Sequence, residues 1–236
     1  MSDGTQAPVT TTIEDGVAVI RFDDGKVNAL SYAAIEALSA GIDQAAEEAG
    51  AIALIGGRKA FSAGFDLSVM TAGMDSAMKL LGAGGDLMLR LFMHPQPVVA
   101  ACTGHALAAG VLLLSTCDVR IGADVPAKIG LNETAIGMSL PAFAMELARD
   151  RLTPRALLQG TLLAELYGPH AAVEVGWLDT VVPAGEAEAA AVTEARRLAQ
   201  LSPAAYAQSK KLLRHPTIGR IKASSALESF QLETPG

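Results

Sequence analysis

Thr10 to Ile13 and Val17 to Phe22 are runs of β-prone residues on either side of Asp15-Gly16. That dipeptide favours the tight turn of an antiparallel pair, so the chain is expected to open on a hairpin. The apolar period then lengthens: Ile35, Leu38 and Ile42 recur at helical spacing behind a possible cap at Ser31, and Gly50 can end the helix before a strand-like run, Ala51 to Ile55. Met74 to Met93 reads as a second helix stopped by Pro95 and Pro97, with Gly82-Ala83-Gly84-Gly85 as a flexible interruption inside it. Val98 to Ala101 reads as a strand, Thr103-Gly104 as a turn, Ala109 to Thr116 as a third helix, and Val119 to Gly122 and Lys128 to Leu131 as short strands. After Pro141 the strand signal fades. Helices are expected from Pro141, from Pro154 behind Thr153, near Pro169, from Glu186, and from Pro203 behind Ser202. Alternation followed by helices argues for an α/β core with a helical C-terminal layer.

Half of the 236 residues are apolar, enough for a sizeable single core. A net charge of −7 disfavours nucleic acid or an anionic membrane surface as a partner. Two cysteines, Cys102 and Cys117, make no disulfide framework, and no basic-then-apolar leader is seen, so a cytoplasmic location is the expectation. The most apolar stretch, Val98 to Leu114, is broken by Thr103, Gly104 and His105, which fits a buried strand, turn and helix better than a membrane span. The chain has no H-E-x-x-H, paired C-x-x-C, G-x-x-x-x-G-K-[ST] or G-x-S-x-G, so zincin, zinc-ribbon, P-loop and hydrolase-elbow readings lack their motif and no metal is expected.

Three separated segments carry a different signal: Phe61-Ser62-Ala63-Gly64-Phe65-Asp66-Leu67, then Gly104-His105-Ala106-Leu107-Ala108-Ala109-Gly110, then Ile129-Gly130-Leu131-Asn132-Glu133 with Gly137. With Asn28-Ala29-Leu30, Cys117-Asp118 and Gly176 to Val182, this ordered set resembles the crotonase (enoyl-CoA hydratase/isomerase) superfamily. The resemblance implies a spiral of strand, strand, helix turns over 1–183 and a helical C-terminal region over 184–236. That region would assemble a homotrimer or a dimer of trimers, and it is shortened after Glu228-Ser229-Phe230. An acyl-CoA thioester would be the substrate, with no separate cofactor. The backbone N–H groups of Ala63 and Ala109 would hold the thioester oxygen, and Glu133 would be the catalytic carboxylate. Lys26, Val27, Ala29, Gly64, Phe65, Asp66, Leu67, Gly110 and Leu112 would line the substrate site.

Residue chemistry refines this expectation. A helix beginning at Ala109 presents amides without intrahelical partners to a developing negative charge. A family hydratase shares its work between two glutamates, and the position matching the first is Leu112, which exchanges no proton. Leu112 to Leu114 make that side apolar, which raises the pKa of Glu133 and suits a general acid/base. Three activities follow, in order of preference: isomerisation of an enoyl-CoA by one carboxyl, hydration of a 2-enoyl-CoA, and acyl-CoA binding without turnover. Glu146 is expected on an exposed helix face, His105 as a structural histidine, and both cysteines as small buried residues. Asp23-Asp24 ahead of Lys26 would repel the CoA phosphates, and Ala142-Phe143-Ala144-Met145 in place of a glycine-rich turn would narrow the acyl pocket.

Overall fold

The computed structural model describes residues 7–233, with side chains as far as residue 224. The departure expected after Glu228 lies outside the described side chains. The opening hairpin is present: β1 (Val9–Glu14) pairs antiparallel with β2 (Val17–Phe22). Asp15 and Gly16 take φ of 51° and 77°, the left-handed pair that such two-residue turns need.

From β2 onward the chain repeats one unit, in which a long strand joins a main sheet, one or two short strands peel off, and a helix returns. The first unit is β2, β3 (Ala29–Leu30) and α1 (Tyr32–Glu48). The second is β4 (Ala51–Ile55), β5 (Ala60–Ser62), β6 (Gly64–Phe65), α2 (Leu67–Met70) and α3 (Met74–Phe92). The third is β7 (Val98–Cys102), β8 (His105–Leu107) and α4 (Ala109–Thr116). The fourth starts with β9 (Val119–Ala123) and β10 (Ile129–Gly130), passes a 3₁₀ turn at Thr134–Ile136, and reaches α5 (Ala142–Arg151). Then come α6 (Leu157–Gly160), α7 (Pro169–Val175), β11 (Thr180–Val182), α8 (Ala187–Leu198) and α9 (Pro203–Glu233). The main sheet runs β1-β2-β4-β7-β9-β11, parallel apart from the hairpin. β10, β8 and β5 form a second sheet, and β3 pairs with β6.

Continuous apolar strands such as Ala51–Ile55 reflect burial on both faces. Alternate residues face opposite ways: Ile20, Ile52, Leu54 and Ala100 meet α1, α3 and α4 on one face. Val17, Val19, Ala53 and Val99 meet α8 on the other through Ala187, Ala191 and Ala195, whose small side chains at four-residue spacing let the helix lie close. Ser31 caps α1 by accepting from Ala34 N–H at 3.2 Å, as its position suggested.

Two expectations are corrected. Gly82 to Gly85 do not interrupt α3, which is continuous. A Cβ on Gly84 would overlap the Phe65 ring, so that glycine serves close packing and not flexibility. Glu146 is 8% exposed and is held by Arg220 Nε at 2.6 Å and Arg149 Nε at 3.4 Å, because α9 crosses α5 and brings Arg220 to it.

Candidate functional site

Asn28 organises the first loop. It is buried at φ 55°, a left-handed conformation that asparagine tolerates better than most residues. Its Nδ2 donates to Phe22 O, to Ala60 O at 3.1 Å and to Phe61 O at 3.2 Å. Its carbonyl accepts from Ser62 Oγ at 2.7 Å. The loop is thereby tied to β2 and β5. Asp23 and Asp24 fold back on their own loop: Asp24 Oδ1 accepts from Lys26 N–H at 2.7 Å and Asn28 N–H at 3.0 Å, and Asp23 Oδ1 from Gly25 N–H at 3.0 Å. They build the loop that carries exposed Lys26 and Val27.

The Ala63 amide, expected to face a thioester oxygen, donates instead to Val27 O at 3.0 Å. Along β6, Gly64 N–H reaches Ser62 Oγ at 3.2 Å and Asp66 N–H reaches Leu30 O at 3.2 Å. Successive residues of an extended segment point to opposite sides. The Phe65 N–H, between those two, therefore points away from β3. Ala29 pairs with Gly64 in the two-stranded sheet, and a Cβ on Gly64 would lie 3.3 Å from Ala109 N, so β6 runs against the opening of α4.

α4 opens abruptly. Ala108 sits at φ 51° and ψ −129° with no side-chain cap, a strained start of a kind that persists where the surroundings enforce it. The first amides of the helix to find acceptors are those of Val111 and Leu112, both donating to Ala108 O; Ala109 and Gly110 are the orphan donors of the turn. Gly110 has no room for a side chain, since a Cβ there would overlap Ser62 O. Close approach of α4 to β5 thus places the Ala109 amide beside β6. Leu112 is 2% exposed in a helix whose eight residues are all buried.

Glu133 begins the 3₁₀ turn, 9% exposed, and its Oε2 has no hydrogen-bond partner among the described residues. Burial raises its pKa, opposed by the backbone N–H groups of Glu133 and Asn132. The adjacent Asn132 Oδ1 is likewise buried and unpaired. Asp66 plays another part: it caps α2 by accepting from Ser68 Oγ at 2.6 Å and Ser68 N–H at 2.9 Å, which lower its pKa, and Leu67 beside it is exposed. His105 Nδ1 accepts from Lys128 N–H at 2.9 Å, a structural contact. Burial pushes both cysteine thiols up to about 12, so neither is a ready nucleophile.

A cavity of about 620 Å³ lies beside this arrangement, lined among others by Ala63, Leu107, Val27, Arg58, Lys59 and Lys128. It does not reach Glu133. The basic rim from Arg58, Lys59 and Lys128 was missed in the sequence, where these cations sit in two separate loops with no motif to join them.

Residues 12–234 match the family described as Enoyl-CoA hydratase/isomerase. The chain belongs to that family. Its crotonase fold matches the solved structure of an Mtb enoyl-CoA isomerase at TM-score 0.88 and 40% identity, covering 92% of this chain and 96% of that one. A human mitochondrial Δ3-Δ2-enoyl-CoA isomerase is similar at TM-score 0.86 and 29% identity, covering 92% of this chain and 86% of that one. A Bacillus subtilis protein named a probable enoyl-CoA hydratase is 32% identical, covering 94% of this chain and 87% of the relative. An enoyl-CoA hydratase/isomerase enzyme is thus established at the level of the family, with isomerases and a hydratase among its relatives. No helix among the described residues is long and apolar enough to cross a membrane.

Proposed function

We propose that the protein is an enoyl-CoA isomerase whose single glutamate moves one proton along the acyl chain. Glu133 takes a proton from C2 of a 3-enoyl-CoA, the electron pair delocalises onto the thioester oxygen, and the same carboxyl returns the proton at C4. The double bond thereby moves from C3–C4 to C2–C3, with no net change in composition. The amides of Ala109 and Phe65 hold the enolate oxygen; such donors are worth about a hundred- to a thousand-fold in rate each. The CoA nucleotide lies in the cavity beside Val27, its phosphates toward Arg58, Lys59 and Lys128, and no separate cofactor takes part.

The observation that carries this reading is Leu112. Hydration calls for a group that positions water opposite the one that handles the α-proton, and at this position the chain has a buried aliphatic side chain. Asp66 and Glu146 are engaged elsewhere, the first as a helix cap and the second with two arginines. Glu133 itself has one buried oxygen free to exchange a proton. Leu112→Glu tests the reading. The variant should gain hydration of 2-enoyl-CoA relative to isomerisation, at a stability cost of about 1–3 kcal/mol for the buried acid. An unchanged ratio in a folded variant contradicts it.

A further inference from the structure

Both ends of α4 are held, and the far end is held by charge. The last carbonyls of a helix have no intrahelical partner, and here three successive ones accept from buried guanidinium groups. Arg151 donates through Nε to Ser115 O at 2.7 Å and through Nη2 to Cys117 O at 2.8 Å. Arg214 donates through Nη1 to Thr116 O at 3.1 Å and to Phe92 O. The two guanidinium carbons lie 6.0 and 4.2 Å from the centre of the Phe92 ring.

The cluster carries more positive charge than it needs for pairing. Asp118 binds Arg214 Nη2 at 2.8 Å and Lys210 Nζ at 2.7 Å, and Asp150 lies 3.8 Å from Arg151. Arg120, paired with Asp179 at 2.7 Å, also acts on Arg151, so four cations face three carboxylates. Burial, with the neighbouring cations, pulls Arg151 down to about 10, and burial pulls Lys210 down to about 8. Closing the helix end alone could be done by neutral donors. Two arginines at that end do more, because excess positive charge there adds a through-space potential that favours an anion at the other end of so short a helix. Eight residues at 1.5 Å each put the Ala109 amide only about 12 Å away.

We propose that Arg151 and Arg214 are positioning residues for the reaction: they bind the C-terminal carbonyls of the helix whose first amide holds the enolate oxygen, and their charge strengthens that amide's hold. The inference rests on the assignment of Ala109 above. It also makes the oxyanion site depend on α9, which supplies Arg214 and Lys210 from one face at four-residue spacing.

The test uses a 3-ketoacyl-CoA, whose β-keto thioester ionises to an enolate with its own ultraviolet absorbance, and a saturated acyl-CoA of equal length as a neutral reference. The full-length wild type should lower the apparent pKa of the bound ketoacyl group; if it does not, the assignment of Ala109 itself fails. In Arg214→Met the enolate should bind about threefold to tenfold more weakly, the loss of one unit charge about 12 Å away at an effective dielectric of about 20 or more, with the saturated ligand within about twofold of wild type. Turnover of 3-enoyl-CoA should show a lower kcat at nearly constant KM. Arg214→Lys, which keeps the charge, should recover at least part of the enolate affinity. Arg151→Gln, which keeps a donor and removes the charge, should show the same loss and decides the matter if Arg214→Met does not fold. Equal weakening of both ligands, or no selective loss of the enolate in folded Arg151→Gln, overturns the proposal.

Discussion

Replacing Glu133 by glutamine keeps the side-chain volume and removes the ionisable group, so it should separate chemistry from stability. General acid/base transfer by a positioned side chain is worth about 10²–10⁴ in rate, and turnover of 3-enoyl-CoA should fall by at least that much while acyl-CoA affinity stays within about tenfold. Stability should move the other way. Glu133 is 9% exposed with Oε2 unpaired, and its folded pKa lies above its ordinary value of 4.5 because of burial. The folded state then holds the proton more tightly than the unfolded state. Stability from the neutral carboxyl is fully present below 4.5 and is lost as pH rises from 4.5 through the raised folded value. As pH rises through that value the wild type comes to bear a buried carboxylate that the Glu133 and Asn132 amides only partly offset, a cost of about 1–3 kcal/mol. Glutamine avoids the charge, which for a chain of this size corresponds to a gain of about 2–10 °C in Tm. Calorimetry of both proteins at pH 4 and pH 7 reads the effect. The glutamine variant should match the wild type at pH 4 and exceed it at pH 7. Retained turnover, or a variant less stable than wild type at pH 7, refutes the reasoning.

Asn28→Ala should cost about 2–4 kcal/mol by chemical denaturation, because it leaves the carbonyls of Phe22, Ala60 and Phe61 without their donor and puts alanine at φ 55°. A loss below about 1 kcal/mol contradicts its role as the tie between the first loop and β5. Leu212 and Leu213 are 66% and 78% exposed on α9, and we propose that the protein forms a homotrimer or a dimer of trimers. Light scattering at micromolar concentration should give a mass several times that of one chain, and a stable monomer counts against assembly.

Local chemistry made much of the fold legible. Asp15-Gly16, the Ser31 cap, Pro141, Pro169 and Pro203 at helix starts and the apolar period of α1 each act within a few residues, and each lies where its chemistry implied; Pro154 instead sits in a turn, and the short helix expected from it begins at Leu157. The short strands β3, β5, β6 and β8 were invisible because two or three residues have no period; distant partners hold them, as Asn28 holds β5. At the site, Glu133 and Ala109 came from the resemblance, and the geometry gives each a physical reason. Nothing local in the sequence separates the Phe65 amide from that of Ala63; the bond from Ala63 N–H across to Val27 O does. Glu146 was misread because its partner Arg220 lies 74 residues away. Arg151 and Arg214 carry no local signal at all, because the carbonyls they bind lie 34 to 122 residues away.

The central claim is that one carboxyl moves one proton between C2 and C4. Its most direct test is to give the purified wild type 3-enoyl-CoA and 2-enoyl-CoA of several chain lengths and to separate the products. Interconversion of the two enoyl esters with little 3-hydroxyacyl-CoA is the expected result. Formation of 3-hydroxyacyl-CoA at ordinary enzyme rates, about 10 per second or faster, without interconversion, contradicts it.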